Sequence, residues 1–157
     1  MTTGSEVLQL LIERGETVSI AESFTGGALS KALTDPEGAS HAFLGGVIAY
    51  SVASKLHDLD VPQSTINEEG VYSSATALAM AEGVKRRFGS DWAIATTGVA
   101  GPGESHGIPA GNLWIAIVGA QVREVEHLTL LGGRSEVRSG AVSSALAAFT
   151  RILRQCS

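Results

Sequence analysis

Thr17-Val18-Ser19-Ile20-Ala21-Glu22-Ser23-Phe24-Thr25-Gly26-Gly27 is the stretch on which the fold turns. Thr17 to Ala21 reads as a short buried strand, and the glycine pair marks a tight turn. Beyond it, Leu29 and Leu33 share one side of a helix that runs to the turn Asp35-Pro36-Glu37-Gly38. A strand feeding a helix through a tight turn is the building unit of α/β folds.

The segments around that unit extend it. Ser5 reads as the cap of a first helix with Val7, Leu8, Leu11 and Ile12 on one side and Gly15 at its end. Leu44 to Tyr50 is a near-continuous apolar run, the pattern of a strand covered on both faces. Ser73 caps a helix in which Ala77, Met80, Ala81, Val84 and Phe88 recur at helical spacing up to Gly89. Trp92 to Thr97 and Leu113 to Val118 read as strands, and the turn Gly119-Ala120-Gln121 joins the latter to Val122–Leu130 as an antiparallel hairpin. A last helix from Ser135 to Gln155 lines up Val137, Ala141, Ala145, Phe149 and Ile152. The expected fold is a three-layer α/β/α sandwich with a mixed, mainly parallel sheet and a C-terminal antiparallel hairpin, forming one domain over residues 1–157.

Composition narrows the function. With 157 residues, 44% of them hydrophobic, the chain is the size of one ordinary domain. A net charge of -5 and only 11 Lys and Arg exclude a phosphate-tracking nucleic-acid binder, so any phosphate it takes is a small one held locally. The four histidines show no metal-ligand spacing and Cys156 is alone, so neither a metal nor an internal disulfide is expected. Met1 to Ser5 lacks the pattern of a signal peptide and no apolar run is long enough to span a bilayer, which points to a cytoplasmic protein without membrane contact.

Ligands of open α/β sheets sit beyond the carboxyl ends of the strands. Three loops qualify here: Glu22 to Gly27, Tyr50 to Lys55, and Thr97-Gly98-Val99-Ala100-Gly101-Pro102-Gly103. Ser23 stands where a strand ends, and the N–H groups of Thr25, Gly26 and Gly27 at a helix start suit a phosphate or an oxyanion. The same residues also suit a plain helix cap. A serine nucleophile needs a base, and Lys55 is placed for it about one helical turn after the second strand, although a solvated lysine fits that position as well. As a base its pKa has to fall from ~10.4 to near 7, through burial or through a nearby cation such as Arg134 or Arg138. Tyr50 either assists the serine or simply ends its strand. Arg134 precedes a helix N-terminus, where positive charge is unfavourable, and this favours a ligand role. The third loop is neither a dinucleotide fingerprint nor a Walker A motif, and no Gly-x-Ser-x-Gly elbow is present.

Together Ala21 to Gly27, Gly45-Gly46-Val47-Ile48-Ala49-Tyr50-Ser51 with Lys55, Met80-Ala81-Glu82-Gly83, Thr97 to Pro102 and Trp114-Ile115-Ala116 resemble the C-terminal domain of the CinA (competence/damage-inducible) family. Its stand-alone members include nicotinamide mononucleotide deamidases. The resemblance implies an amidohydrolase of the pyridine nucleotide cycle and NAD salvage, without metal or cofactor, that converts nicotinamide mononucleotide to nicotinate mononucleotide and ammonia. Carried over by motif, Ser23 is the nucleophile, Lys55 its base and Tyr50 an assistant. Thr25, Gly26, Gly27, Gly45, Thr97, Gly98, Ala100 and Gly101 line the substrate site, and Arg134 holds the phosphate. A homo-oligomer, a dimer by family analogy, is implied too. The chain departs from the family pattern at Val52 (usually Asn), Tyr72 (usually Val), Val71 (commonly Ala), Phe24 (frequently Cys), and over Gly103 to Asn112, which lacks Lys-Pro-Val-Gly-Thr. These departures bear on substrate choice; the alternatives are an inactive pyridine-nucleotide-binding module and an amidase for a related small amide.

Overall fold

The computed structural model describes residues 3–156, so Met1, Thr2 and Ser157 of the expected domain lie outside it. The elements follow as α1 (Gly4–Arg14), β1 (Val18–Glu22), α2 (Ala28–Thr34), β2 (Phe43–Ile48), α3 (Val52–Asp58), α4 (Gln63–Glu69), α5 (Ser74–Phe88), β3 (Trp92–Gly98), β4 (Asn112–Val118), β5 (Arg123–Thr129) and α6 (Arg134–Gln155). A 3-10 turn at Ala39–His41 precedes β2.

The strands form one sheet in the order β2-β1-β3-β4-β5. β1 runs parallel to both β2 and β3, while the β3–β4 and β4–β5 pairings are antiparallel. Two reversals leave β5 pointing the same way as β1, so the sheet is mixed with a single counter-running strand. Because successive strand residues face opposite sides, the sheet feeds two cores. On one face Val18, Ile20, Ile94 and Leu113 pack against Val7, Leu8 and Leu11 of α1, Leu29 and Leu33 of α2, and Val137, Ala141 and Phe149 of α6. On the other, Ala21, Ala93, Ala95 and Ala116 meet Ala77, Met80, Ala81 and Val84 of α5. This is the expected three-layer sandwich.

Several local expectations are corrected. Thr3 and not Ser5 caps α1, because Thr3 and Glu6 form a reciprocal capping box. α6 begins at Arg134 with Gly133 as its cap, so Ser135 is already inside the helix. β2 is not covered on both faces: it is one of the two edge strands of the sheet, and Leu44 and Ile48 point outward, 44% and 55% exposed. The short helix α4, bounded by Pro62 and Gly70, adds to the expected elements.

Gly83 of α5 shows how closely that helix packs on the segment that follows α3. A Cβ there would lie 1.9 Å from the Leu59 carbonyl oxygen just past α3. Alanine in an open helix gains about 1 kcal/mol over glycine, but here overlap with backbone decides the sign. Gly83→Ala is expected to destabilise by roughly 2 kcal/mol, lowering Tm by about 4–8 °C in thermal melts; a variant at or above the wild-type Tm would show that α5 and the Leu59 segment are not packed this closely.

Candidate functional site

β1 delivers Ser23 to the carboxyl end of the sheet. Its N–H donates to the Thr96 carbonyl of β3 at 3.1 Å, which continues the parallel ladder one residue past the strand. The chain then folds tightly: the Gly26 N–H donates to the Ser23 carbonyl and the Ala28 N–H to the Thr25 carbonyl, both at 3.0 Å. Thr25 Oγ1 lies 2.8 Å from Thr96 Oγ1, so this side chain braces the turn against β3.

Neither Ser23 nor Thr25 caps α2, whose N-cap Gly27 makes no side-chain bond. Glu22 satisfies the start of that helix instead. Its buried carboxylate accepts from the Leu29 and Ser30 N–H groups, each at 2.9 Å, and from Ser30 Oγ at 2.7 Å. Negative charge is favoured there by the exposed N–H groups and the helix dipole. From α6, Arg138 donates through Nε to the Phe24 carbonyl at 3.1 Å and through Nη2 to the Thr25 carbonyl at 3.2 Å. Gly26 makes room for it: its φ is 59°, and a Cβ would come within 3.0 Å of Arg138 Nη2. The N–H groups of Phe24 and Thr25 hold no hydrogen bond among the described residues.

Lys55 projects from α3, whose N-cap Ser51 accepts from the Ser54 N–H. It is one of the largest fully buried side chains of the protein, only 1% exposed. Nζ donates to Ser23 Oγ at 3.0 Å and to the Ala49 carbonyl at 2.8 Å. Burial pushes its pKa down to about 8. Of the two causes expected, burial and a nearby cation such as Arg134 or Arg138, desolvation is the one that acts. Losing water costs the ammonium more than two neutral acceptors return.

Ser23 opens onto a cavity of about 300 Å³ lined also by Phe24, Tyr50, Tyr72, the Gly98–Ser105 loop and Arg134. Lys55 touches Ser23 from behind and does not line it. Arg134 donates to the Gly101 carbonyl at 2.8 Å and to Tyr50 Oη at 3.1 Å, tying two of the three candidate loops together across the opening. Ser23, Tyr50, Gly98, Ala100, Gly101 and Arg134 thus all line this cavity.

The other candidates stand elsewhere. Gly26 and Gly27 form the turn into α2, and Gly27 abuts Ile48. Thr97 is buried and donates to the Val71 carbonyl at 3.2 Å. Gly45 pairs with Ser19 midway along the edge strand β2 under the Phe88 ring, away from the cavity, where its missing Cβ serves packing. Sequence reasoning names Arg138 only as a possible charge near Lys55 and misses Tyr72, Glu104 and Ser105 as lining residues, although Tyr72 and the Gly103–Asn112 stretch stand out as departures from the family pattern. Among the described residues no three His, Cys, Asp or Glu side chains cluster to hold a metal ion, and no helix is long and apolar enough to cross a membrane.

Residues 2–153 match the family model of the CinA C-terminal domain. The chain is 44% identical over 147 residues to a CinA-like protein of Frankia casuarinae, covering 94% of this chain and 34% of that one. It is 45% identical over 148 residues to a CinA-like protein of Synechococcus sp., covering 92% and 35%. The chain thus spans about a third of the length of the curated relatives it matches. Among solved structures, the competence damage-inducible protein A (ComA) from Klebsiella pneumoniae superposes with a TM-score of 0.94 at 34% identity, over 96% of this chain and 94% of that one. The competence/damage inducible protein CihA from Agrobacterium tumefaciens gives 0.91 at 32% identity, over 96% and 93%.

The lowered pKa of Lys55 ties stability to pH. Between about pH 8 and the unfolded value of 10.5 the unfolded chain holds a proton that the folded chain has released, so stability rises with pH across that window. Below pH 8 both forms are protonated and the full penalty stands, on the order of 3 kcal/mol. Urea melts of wild type and Lys55→Met from pH 7 to 11 are expected to show a gain of about that size in wild type relative to the variant. Parallel pH profiles for the two proteins would mean that Lys55 is not buried as described.

Proposed function

The chain belongs to the CinA C-terminal domain family, and from that premise we propose that it hydrolyses the carboxamide of nicotinamide mononucleotide, giving nicotinate mononucleotide and ammonia. The observation that carries this reading is the contact between a buried, readily deprotonated Lys55 and Ser23 Oγ at the floor of a cavity sized for one small molecule.

In its neutral form Lys55 keeps an N–H on the Ala49 carbonyl and turns its lone pair toward the Ser23 hydroxyl. It takes the hydroxyl proton as Oγ attacks the carboxamide carbon. The free N–H groups of Phe24 and Thr25 follow the nucleophile directly and suit the oxyanion of the tetrahedral intermediate. Collapse breaks the C–N bond, and the proton held by Lys55 goes to the departing nitrogen, releasing ammonia and leaving an ester on Ser23. Water, deprotonated by Lys55, then cleaves the ester; the carboxylic acid forms and Ser23 recovers its proton.

Arg134 holds the phosphate in this reading. It is the cationic side chain among those lining the cavity, and its two bonds to Gly101 and Tyr50 leave further N–H groups of the fork available. Tyr50, bonded to that guanidinium, orients it.

Purified protein is expected to release ammonia from nicotinamide mononucleotide, with Ser23→Ala and Lys55→Met folded but slower by at least about a thousandfold in kcat. The base has to be neutral, and at pH 7 about a tenth of Lys55 is. Below pH 8, kcat/KM is therefore expected to rise about tenfold per pH unit, then level off. Absence of ammonia from folded wild type, or full activity in either variant, overturns the assignment; a pH-independent kcat/KM removes Lys55 as the base.

A further inference from the structure

One wall of the cavity takes no part in the chemistry at Ser23, and it is built from residues at which this chain departs from the family pattern. Ser105 and Ile108 exchange backbone bonds at 3.0 and 2.9 Å around His106 and Gly107, whose φ values are 50° and 78°. This is a two-residue hairpin turn of the primed type, which holds Glu104 and Ser105 against the cavity. Tyr72 meets them from the other side. It is fixed by its neighbours: the Val71 carbonyl accepts from Thr97 Oγ1, and Ser73 caps α5.

Tyr72 Oη lies 2.9 Å from Ser105 Oγ, which lies 3.1 Å from His106 Nδ1, and the His106 ring stands edge-on to Tyr72 at 5.7 Å. This chain of three polar atoms can run in two directions. With Nδ1 accepting, Ser105 donates to His106, Tyr72 donates to Ser105, and lone pairs of both hydroxyls are left for the cavity. With Nδ1 donating, the order reverses and the Tyr72 O–H is free to donate. A ligand hydroxyl, which both donates and accepts, complements either arrangement. Glu104 adds an acceptor for a second hydroxyl and is unfavourable to a phosphate.

We propose that Tyr72, Ser105 and Glu104 form the subsite for the vicinal ribose hydroxyls of the substrate, between the carboxamide-bearing ring at Ser23 and the phosphate at Arg134. This rests on the reading of the substrate as a nucleotide. It makes the protein selective for a ribosylated amide carrying both hydroxyls.

The test compares nicotinamide mononucleotide with its 2′,3′-dideoxy counterpart on wild type, Tyr72→Phe, Ser105→Ala and Glu104→Gln. Wild type is expected to favour the ribonucleotide by about tenfold or more in kcat/KM, chiefly through KM. In each variant the ribonucleotide loses more than the dideoxy compound, and the preference shrinks by about three- to tenfold. Equal use of both compounds by wild type, or an undiminished preference in all three variants, overturns the subsite. If wild type releases ammonia from neither compound, the proposed reaction has failed, and the same ratio is then read from calorimetric Kd values for the two intact nucleotides. A Kd preference that shrinks in the variants keeps the subsite, whereas equal Kd values or absence of binding overturn it.

Discussion

Burying the Lys55 ammonium against a hydroxyl and a peptide carbonyl gives a cation two neutral partners and no counter-ion. In such a place the proton is the adjustable part, because a carboxylate at the position of Ala49 would have stabilised the charge and returned the pKa to its ordinary range. The carboxylate adjoining Ser23 in the chain, that of Glu22, is turned the other way, onto α2. The fold therefore withholds from Lys55 the partner that would silence it. The destabilisation this causes is local, while the apolar cores on both faces of the sheet hold the structure against it.

The turn at Ser23 is held by contacts from three directions. β3 takes the Ser23 N–H, Glu22 fixes the start of α2, and Arg138 of α6 grips the Phe24 and Thr25 carbonyls. A guanidinium on those oxygens draws the peptide units one way, and a peptide N–H lies opposite its carbonyl. The hydrogen bond also polarises the unit, so the Thr25 N–H, which shares a peptide with the Phe24 carbonyl, becomes a stronger donor. Gly26 is part of the same arrangement, since any side chain there would press on the guanidinium.

Much of this was legible in the sequence because it depends on local pattern. The apolar runs mark the strands, helical spacing marks α5 and α6, and the position of Ser23 at a strand end marks the nucleophile candidate. The cap of α1 was misread as Ser5 although its signal is local, since Thr3 and Glu6 stand at capping-box spacing. Most of what else escaped depends on pairing across the chain. β2 has the apolar composition of an inner strand, and only the order of the sheet makes it an edge. Arg138 meets carbonyls more than a hundred residues away, and Tyr72 meets Ser105 across 33. Burial rather than neighbouring charge depresses Lys55, and that distinction needs the packed structure.

Glu22 also decides where an anion can bind. The first turn of a helix after a glycine-rich bend ordinarily attracts a phosphate. Here a buried carboxylate of the protein already occupies the Leu29 and Ser30 N–H groups, and a second anion there would be repelled as well as unpaired. That leaves two places for negative charge: the free amides of Phe24 and Thr25 beside Ser23, and the Arg134 guanidinium among the side chains lining the cavity. The amides present partial charge on fixed backbone, suited to an oxyanion that exists only during reaction. The guanidinium presents a full charge at the opening, suited to a group that stays charged throughout. By filling its own helix terminus, the protein keeps the amides that would face an oxyanion in the proposed reaction apart from the guanidinium that would hold the substrate's phosphate.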